Sequence, residues 1–164
     1  FQNPDLQLFN ASVRDELLYR IPNPDIPYFN WLISALGLDR YENTPPLLLS
    51  EGEKKRVTLG LALMRRPAHG LLLDEPSLGQ DIIHKTILIR LLRTLADSGQ
   101  LVMMTTHDLN LASHADRLIL LGPECRIIAD GLTESVLRDS SAWQKTGITL
   151  PAWFLRQREA EAAK

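Results

Sequence analysis

Residues 71–81 read LLLDEPSLGQD, an apolar run that ends on two adjacent acids, Asp74 and Glu75, and is closed by Pro76. Taking a carboxylate out of water is costly unless a cation or a proton compensates it. An acid pair at the mouth of a buried strand therefore suits a metal-nucleotide site. Asp74 would hold Mg2+, usually through water, and Glu75 would polarise an attacking water. A second polar pair, His107 with Asp108, follows the apolar run that begins at Leu101. There His107 would reach a terminal phosphate as a hydrogen-bond donor. Singly, each signal is weak: acid pairs at strand ends are common, and a lone histidine after a strand is more often structural than catalytic.

Ser50 and Glu53 have the S-x-x-E spacing of a capping box. A helix starting there presents free amide groups and a positive dipole end, which together make an anion site. Capping alone explains the pair, and only the neighbouring motifs strengthen the anion reading. Lys54, Lys55 and Arg56 read as a solvated basic first turn with no catalytic role, at the helix end where basic charge is mildly unfavourable.

The elements that must position these residues fall into two textures. Residues 1–46 are rich in proline and carry two short helical patterns. In one, Ser12 and Asp15 give a capping signal ahead of VRDELLYR; in the other, Phe29, Leu32, Ile33 and Leu36 recur at helical spacing and Gly37 closes the run. From Leu47 the pattern alternates. A helix opens after Ser50 with Val57, Leu59, Leu61 and Leu63, and the strand GLLLDEP follows. Then come a helix from about Asp81 to Leu95, the strand LVMMTTHD, a helical stretch through Ala112, the strand RLILL, and a return strand RIIAD after GPEC. Unbroken apolar strands alternating with helices predict an α/β fold with a parallel sheet, where ligands bind beyond the carboxyl ends of the strands. A terminal helix is expected from Pro151.

Composition narrows the classes. A chain of 164 residues with 45% hydrophobic content can bury a sizeable core. The net charge of −2 leaves no basic footprint for nucleic acid, so no nucleic-acid partner is expected. Cys125 is the only cysteine, which rules out an internal disulfide or a cysteine cluster for zinc and fits a reducing compartment. No apolar run approaches the roughly 18 residues that span a bilayer.

In order along the chain stand FQNPDLQLF, LSEGEKKR, LLLDEP, SLGQD and TTHD. This series resembles the ATPase subunits of ATP-binding cassette (ABC) transporters over most of the chain. The opening FQNPDLQLFNASVRDEL is similar to the ATPases of energy-coupling-factor vitamin transporters and cobalt or nickel importers. The resemblance implies a P-loop NTPase-type parallel sheet with helices, incomplete here, plus a small helical subdomain. It divides the chain into 1–46, the glutamine loop and helical subdomain; 47–131, the signature helix and α/β core; and 132–164, a C-terminal helical segment that helps dimerise the protein or packs on its own domain.

The same resemblance implies ATP and Mg2+ as cofactors. Gln2 matches the loop glutamine that touches the metal and the lytic water, and Asp74 the magnesium-site aspartate. Glu75 matches the general base, His107 the switch histidine, and Asp81 the aspartate of the loop crossing a dimer interface. Ser50 and Gly52 match signature positions that contact ATP on a second ATPase subunit, identical or different. The other implied partner is a transmembrane subunit, with the protein peripheral on the cytoplasmic face of the membrane. Two departures stand out: Glu51 and Glu53 replace a glycine and the glutamine of LSGGQ, and no G-x-x-x-x-G-K-[ST] loop occurs in the chain. In the family that loop precedes the glutamine loop, so the chain reads as a C-terminal portion, inactive alone, with exposed apolar sheet edges. Glu51 adds negative charge where a phosphate should dock, unless its side chain points away. The alternatives are a non-catalytic module docking a membrane subunit through Phe9, Phe29 and Trp31, and a DNA-maintenance ATPase with this signature.

Overall fold

The computed structural model describes residues 7–66, 70–150, 154 and 156. It divides into two units, Phe1–Thr105 and Thr106–Lys164. In the first, α1 (Val13–Leu18) starts on Ser12, whose Oγ accepts the Asp15 N–H at 3.0 Å. Helix α2 (Ile26–Ala35) starts on Asp25, whose Oδ1 accepts the Tyr28 N–H at 2.9 Å, and Gly37 at φ +63° turns the chain away just past its end. Phe29, Leu32, Ile33 and Leu36 are all buried. Phe29 is therefore core rather than a docking residue, whereas Phe9 and Trp31 remain exposed.

Helix α3 (Glu51–Met64) follows a 3-10 turn at Pro46–Leu48. It buries Val57, Gly60, Leu63 and Met64, while Leu59 and Leu61 are half-buried. The inward face thus follows the 3.6-residue period and not the alternate positions 57, 59, 61 and 63. At Gly60 the three helices meet: a Cβ there would lie 2.8 Å from Leu17 Cδ2 and 3.0 Å from Leu36 Cδ1.

Strand β1 (Gly70–Asp74), helix α4 (Ile82–Asp97) and strand β2 (Leu101–Thr105) complete this unit. The strands pair in parallel, from Gly70 opposite Leu101 to Asp74 opposite Thr105. Helix α4 buries Leu88, Leu91, Leu92 and Leu95, a stripe at i, i+3, i+4 and i+7, and packs against β2. Alternation puts Leu72, Asp74, Leu101, Met103 and Thr105 on one face of the strand pair, and all of them are exposed. Parallel sheets are ordinarily covered on both faces.

The second unit opens with α5 (Leu109–Ala112) and the antiparallel pair β3 (Arg117–Leu121) and β4 (Ile127–Leu132), with a register shift at Leu120/Leu121. The expected return strand is present, and Arg117 Nε and Nη2 donate to both Asp130 oxygens across it, at 2.7 and 2.8 Å. Between the strands Glu124 and Cys125 take φ +57° and +56°. Helices α6 (Thr133–Arg138) and α7 (Ser140–Thr146) close a small core of Leu120, Val136, Leu137, Ala142, Trp143 and Phe154. The buried Trp143 Nε1 donates to the Val136 carbonyl at 2.9 Å. Of the expected terminal helix, Pro151 and Trp153 lie outside the described residues, and Phe154 packs within its own unit.

Candidate functional site

Strand β1 carries Asp74 to its carboxyl end, opposite Thr105, whose Oγ1 donates a hydrogen bond to Asp74 Oδ1. The chain then turns at Glu75, which sits at φ +44°. Its N–H donates to the Thr105 carbonyl at 3.0 Å, and its carbonyl accepts the Leu78 N–H at 3.1 Å. A left-handed non-glycine residue costs about 1–3 kcal/mol. That conformation, outside the β region, ends the strand pairing at the acid pair. Beyond it the loop is held from within: Gln80 Nε2 donates to the Pro76 carbonyl at 3.0 Å, the Gln80 N–H donates to the Ser77 carbonyl at 3.1 Å, and Ser77 is buried. Asp81 ends the loop as the N-cap of α4. Its Oδ1 accepts the His84 N–H at 2.9 Å and lies 2.8 Å from His84 Nδ1.

The capping box at the start of α3 forms in full. Ser50 Oγ accepts the Glu53 N–H at 3.4 Å, while the Ser50 N–H and Oγ donate to Glu53 Oε2 at 2.9 and 2.7 Å. Burial opposes ionisation of Glu53, but hydrogen bonds from Tyr41 and Ser50 and the charge of Arg56 outweigh it and hold the carboxyl below its ordinary value. Glu51 is exposed, with Oε1 at 3.6 Å from Lys54 Nζ, so its negative charge is partly compensated on its own helix.

The basic first turn is not a solvated one. Lys54 and Arg56 are 8% and 3% exposed. Burial pushes the Arg56 pKa down, opposed by the charges of Glu53, Tyr41 and Asp81; its Nη2 is 4.0 Å from Glu53 Oε1. Its Nε and Nη1 have no hydrogen-bond partner among the described residues. Lys55 Nζ donates to the Leu78 carbonyl, and a Cβ on Gly52 would lie 3.9 Å from the Gly79 carbonyl. The amide-presenting end of α3 is thus seated on the loop that follows the acid pair.

A cavity of about 910 Å³ in this unit runs from Asp74, Glu75 and Leu78 past Lys55 to Phe9 and Tyr19. Beneath Phe9, the buried Glu16 accepts the Phe9 and Asn10 N–H groups, both at 2.8 Å. The structure therefore brings Ser50, Gly52, Asp74, Glu75 and Asp81 into one unit. His107 belongs to the second unit, exposed in the segment that leads into α5, beside Asp108, whose Oδ1 caps α5 by accepting the Asn110 N–H at 3.0 Å. Gln2 lies outside the described residues. Among the described residues no group of three or more His, Cys, Asp or Glu side chains clusters as a metal cage. A carboxylate pair with a hydroxyl suits Mg2+, which keeps waters and takes phosphate oxygens as its remaining ligands. Glu16 and Thr105 escaped the sequence reading, and Lys55 and Arg56 were read only as a solvated first turn. Of the first two, Glu16 had a local signal, an acid in the first turn of α1.

No protein-family model matches the chain. It is 30% identical over 158 residues to the energy-coupling factor transporter ATP-binding protein EcfA of Methanocaldococcus jannaschii, covering 92% of this chain and 56% of the relative. To EcfA1 of Bacillus licheniformis it is 31% identical over 161 residues, covering 94% of this chain and 57% of the relative. Its fold matches CbiO1 of Clostridium perfringens, described as part of the ABC transporter complex CbiONQ, with a TM-score of 0.71 and 26% identity over 96% of this chain and 65% of that one. The chain spans between about half and just under two-thirds of the length of these proteins. In sequence and in fold, its homologues are ABC transporter ATP-binding proteins, the energy-coupling-factor ATPases among them.

Proposed function

We propose that this chain forms part of an ATP-binding, ATP-hydrolysing subunit that powers an ABC-type importer of a metal ion or a vitamin. The observation that carries this reading lies within the first unit: the acid pair ending β1 and the amide-presenting end of α3 are joined by one loop, through Lys55 to Leu78. Bound Mg-ATP supplies the phosphoryl group to be transferred and the metal charge that neutralises it. Asp74, steadied by Thr105, holds the metal side, and Glu75 accepts the proton of the attacking water. Ser50, Gly52 and the first-turn amides of α3 face a nucleotide phosphate on a second ATPase subunit. The pairing of Glu51 with Lys54 lessens the repulsion there. Asp81 approaches the second subunit from the start of α4, His107 donates to the terminal phosphate, and Gln2 links metal and water to a transmembrane partner. The protein works at the cytoplasmic face of the membrane; among the described residues no helix is long and apolar enough to cross it.

Calorimetric titration with Mg-ATP and a turnover assay test this. The 164 residues contain no G-x-x-x-x-G-K-[ST] loop and are expected neither to bind tightly nor to turn over alone. Mixed with a polypeptide carrying that loop, they should give turnover that Glu75→Gln lowers about 10²- to 10⁴-fold. Full activity in Glu75→Gln would remove Glu75 from the reading. A second reading, a docking module, draws on Phe9, 62% exposed at the cavity, and is favoured if the chain binds a membrane subunit without nucleotide.

A further inference from the structure

A second hollow in the first unit, of about 400 Å³, lies where the loop after α1 meets the end of α3 and shares Arg65 with the larger cavity. Its walls include Ile21, Pro22, Tyr28 and Met64, and its charged groups are Arg20, Arg65, Arg66 and a single acid, Asp25. Asp25 is already engaged: it caps α2 and takes a hydrogen bond from Arg66 Nη2. Arg66 in turn lies over the Tyr28 ring, 4.6 Å from its centroid, and Tyr28 stacks on the exposed Trp31 at 5.5 Å. Arg20 and Arg65 are exposed and have no carboxylate partner among the described residues. Three of the residues lining the hollow, Arg20, Asn23 and Arg66, sit at φ +53°, +49° and +47°. Such conformations are uncommon for non-glycine residues, and they gather at ligand clamps and binding sites.

We propose that this hollow docks an acidic amphipathic segment of a protein partner, its apolar side on Ile21, Pro22 and Met64 and its carboxylates on Arg20 and Arg65. The guanidinium fork matches a carboxylate in a way that a point charge does not. In the same wall Arg66 already holds the Asp25 carboxylate, through Nη2 to Oδ2. Concavity and apolar walls favour a side-chain-bearing segment over a flat anionic surface, and a net charge of −2 leaves the chain without the broad basic face that polyanions require.

The test is fluorescence anisotropy of a labelled amphipathic Glu/Leu peptide with the 164-residue chain in the absence of nucleotide, so its result is independent of ATP binding. Saturable binding is expected, weakened by salt and absent for the matching Lys/Leu peptide. Each exposed pair is modest alone, but reversing both charges in Arg20→Glu with Arg65→Glu should weaken binding about tenfold. Arg65→Gln alone should weaken it by about threefold, which guards against a folding defect in the double variant. No binding of the acidic peptide, equal binding of the basic one, unchanged affinity in both variants, or preference for anionic phospholipid vesicles would each overturn the proposal.

Discussion

At the scale of single residues, Glu53 joins the stability of the fold to the anion end of α3. Its carboxylate holds the Ser50 amide and hydroxyl, and it titrates below its ordinary value. A depressed carboxyl favours the folded state above its unfolded-state pKa, about 4.3, and that contribution disappears as pH falls through the lower folded-state value. The advantage of the parent over Glu53→Gln in thermal midpoint should therefore be full at pH 7 and shrink in acid. A constant difference across that range would show that the ionised form is not what stabilises the cap. Asp74 and Thr105 are a contrasting case: they are opposed across the strand pair, so Thr105→Val should leave β2 in place while releasing the orientation of Asp74. A loss of turnover in the mixture with the loop-bearing polypeptide, with little change in the chain's own thermal midpoint, is the expected pair of results.

At the scale of elements, the junction of α1, α2 and α3 depends on Gly60. In an open helix position Gly→Ala stabilises by about 1 kcal/mol. Here the added methyl would meet two fully buried leucines, Leu17 and Leu36, at 2.8 and 3.0 Å. Overpacking of that kind costs about 1–3 kcal/mol. Gly60→Ala should thus destabilise by on the order of 1 kcal/mol, read from the denaturant midpoint at constant m-value. A stabilised variant would mean that both leucines change rotamer without loss of packing.

At the scale of the whole molecule, the exposed face of β1 and β2 is the largest departure from an ordinary α/β protein. Leu72, Leu101 and Met103 lie together on it at 75%, 64% and 52% exposure. A face of this kind promotes association. Sedimentation should show concentration-dependent self-association that Leu72→Lys reduces; a monomer at all concentrations would argue against the exposed face as an adhesive surface. Much of the local architecture was legible in the amino-acid order. Ser12 and Ser50 cap helices where the patterns place them, α4 begins at the expected Asp81, and β1 through β4 fall on the apolar runs, because capping and periodicity act within a turn or two of chain. The acid pair, the capping box and their order were equally readable, since each motif is contiguous. Tertiary structure alone decided what comes back to meet them. The Lys55–Leu78 and Asp74–Thr105 contacts join residues 23 and 31 positions apart, and no local pattern encodes such a return. It also decided that Phe29 is core while Phe9 is exposed, and that Lys54 and Arg56 are buried although their types favour water, because burial depends on which surfaces the rest of the chain brings to cover a side chain.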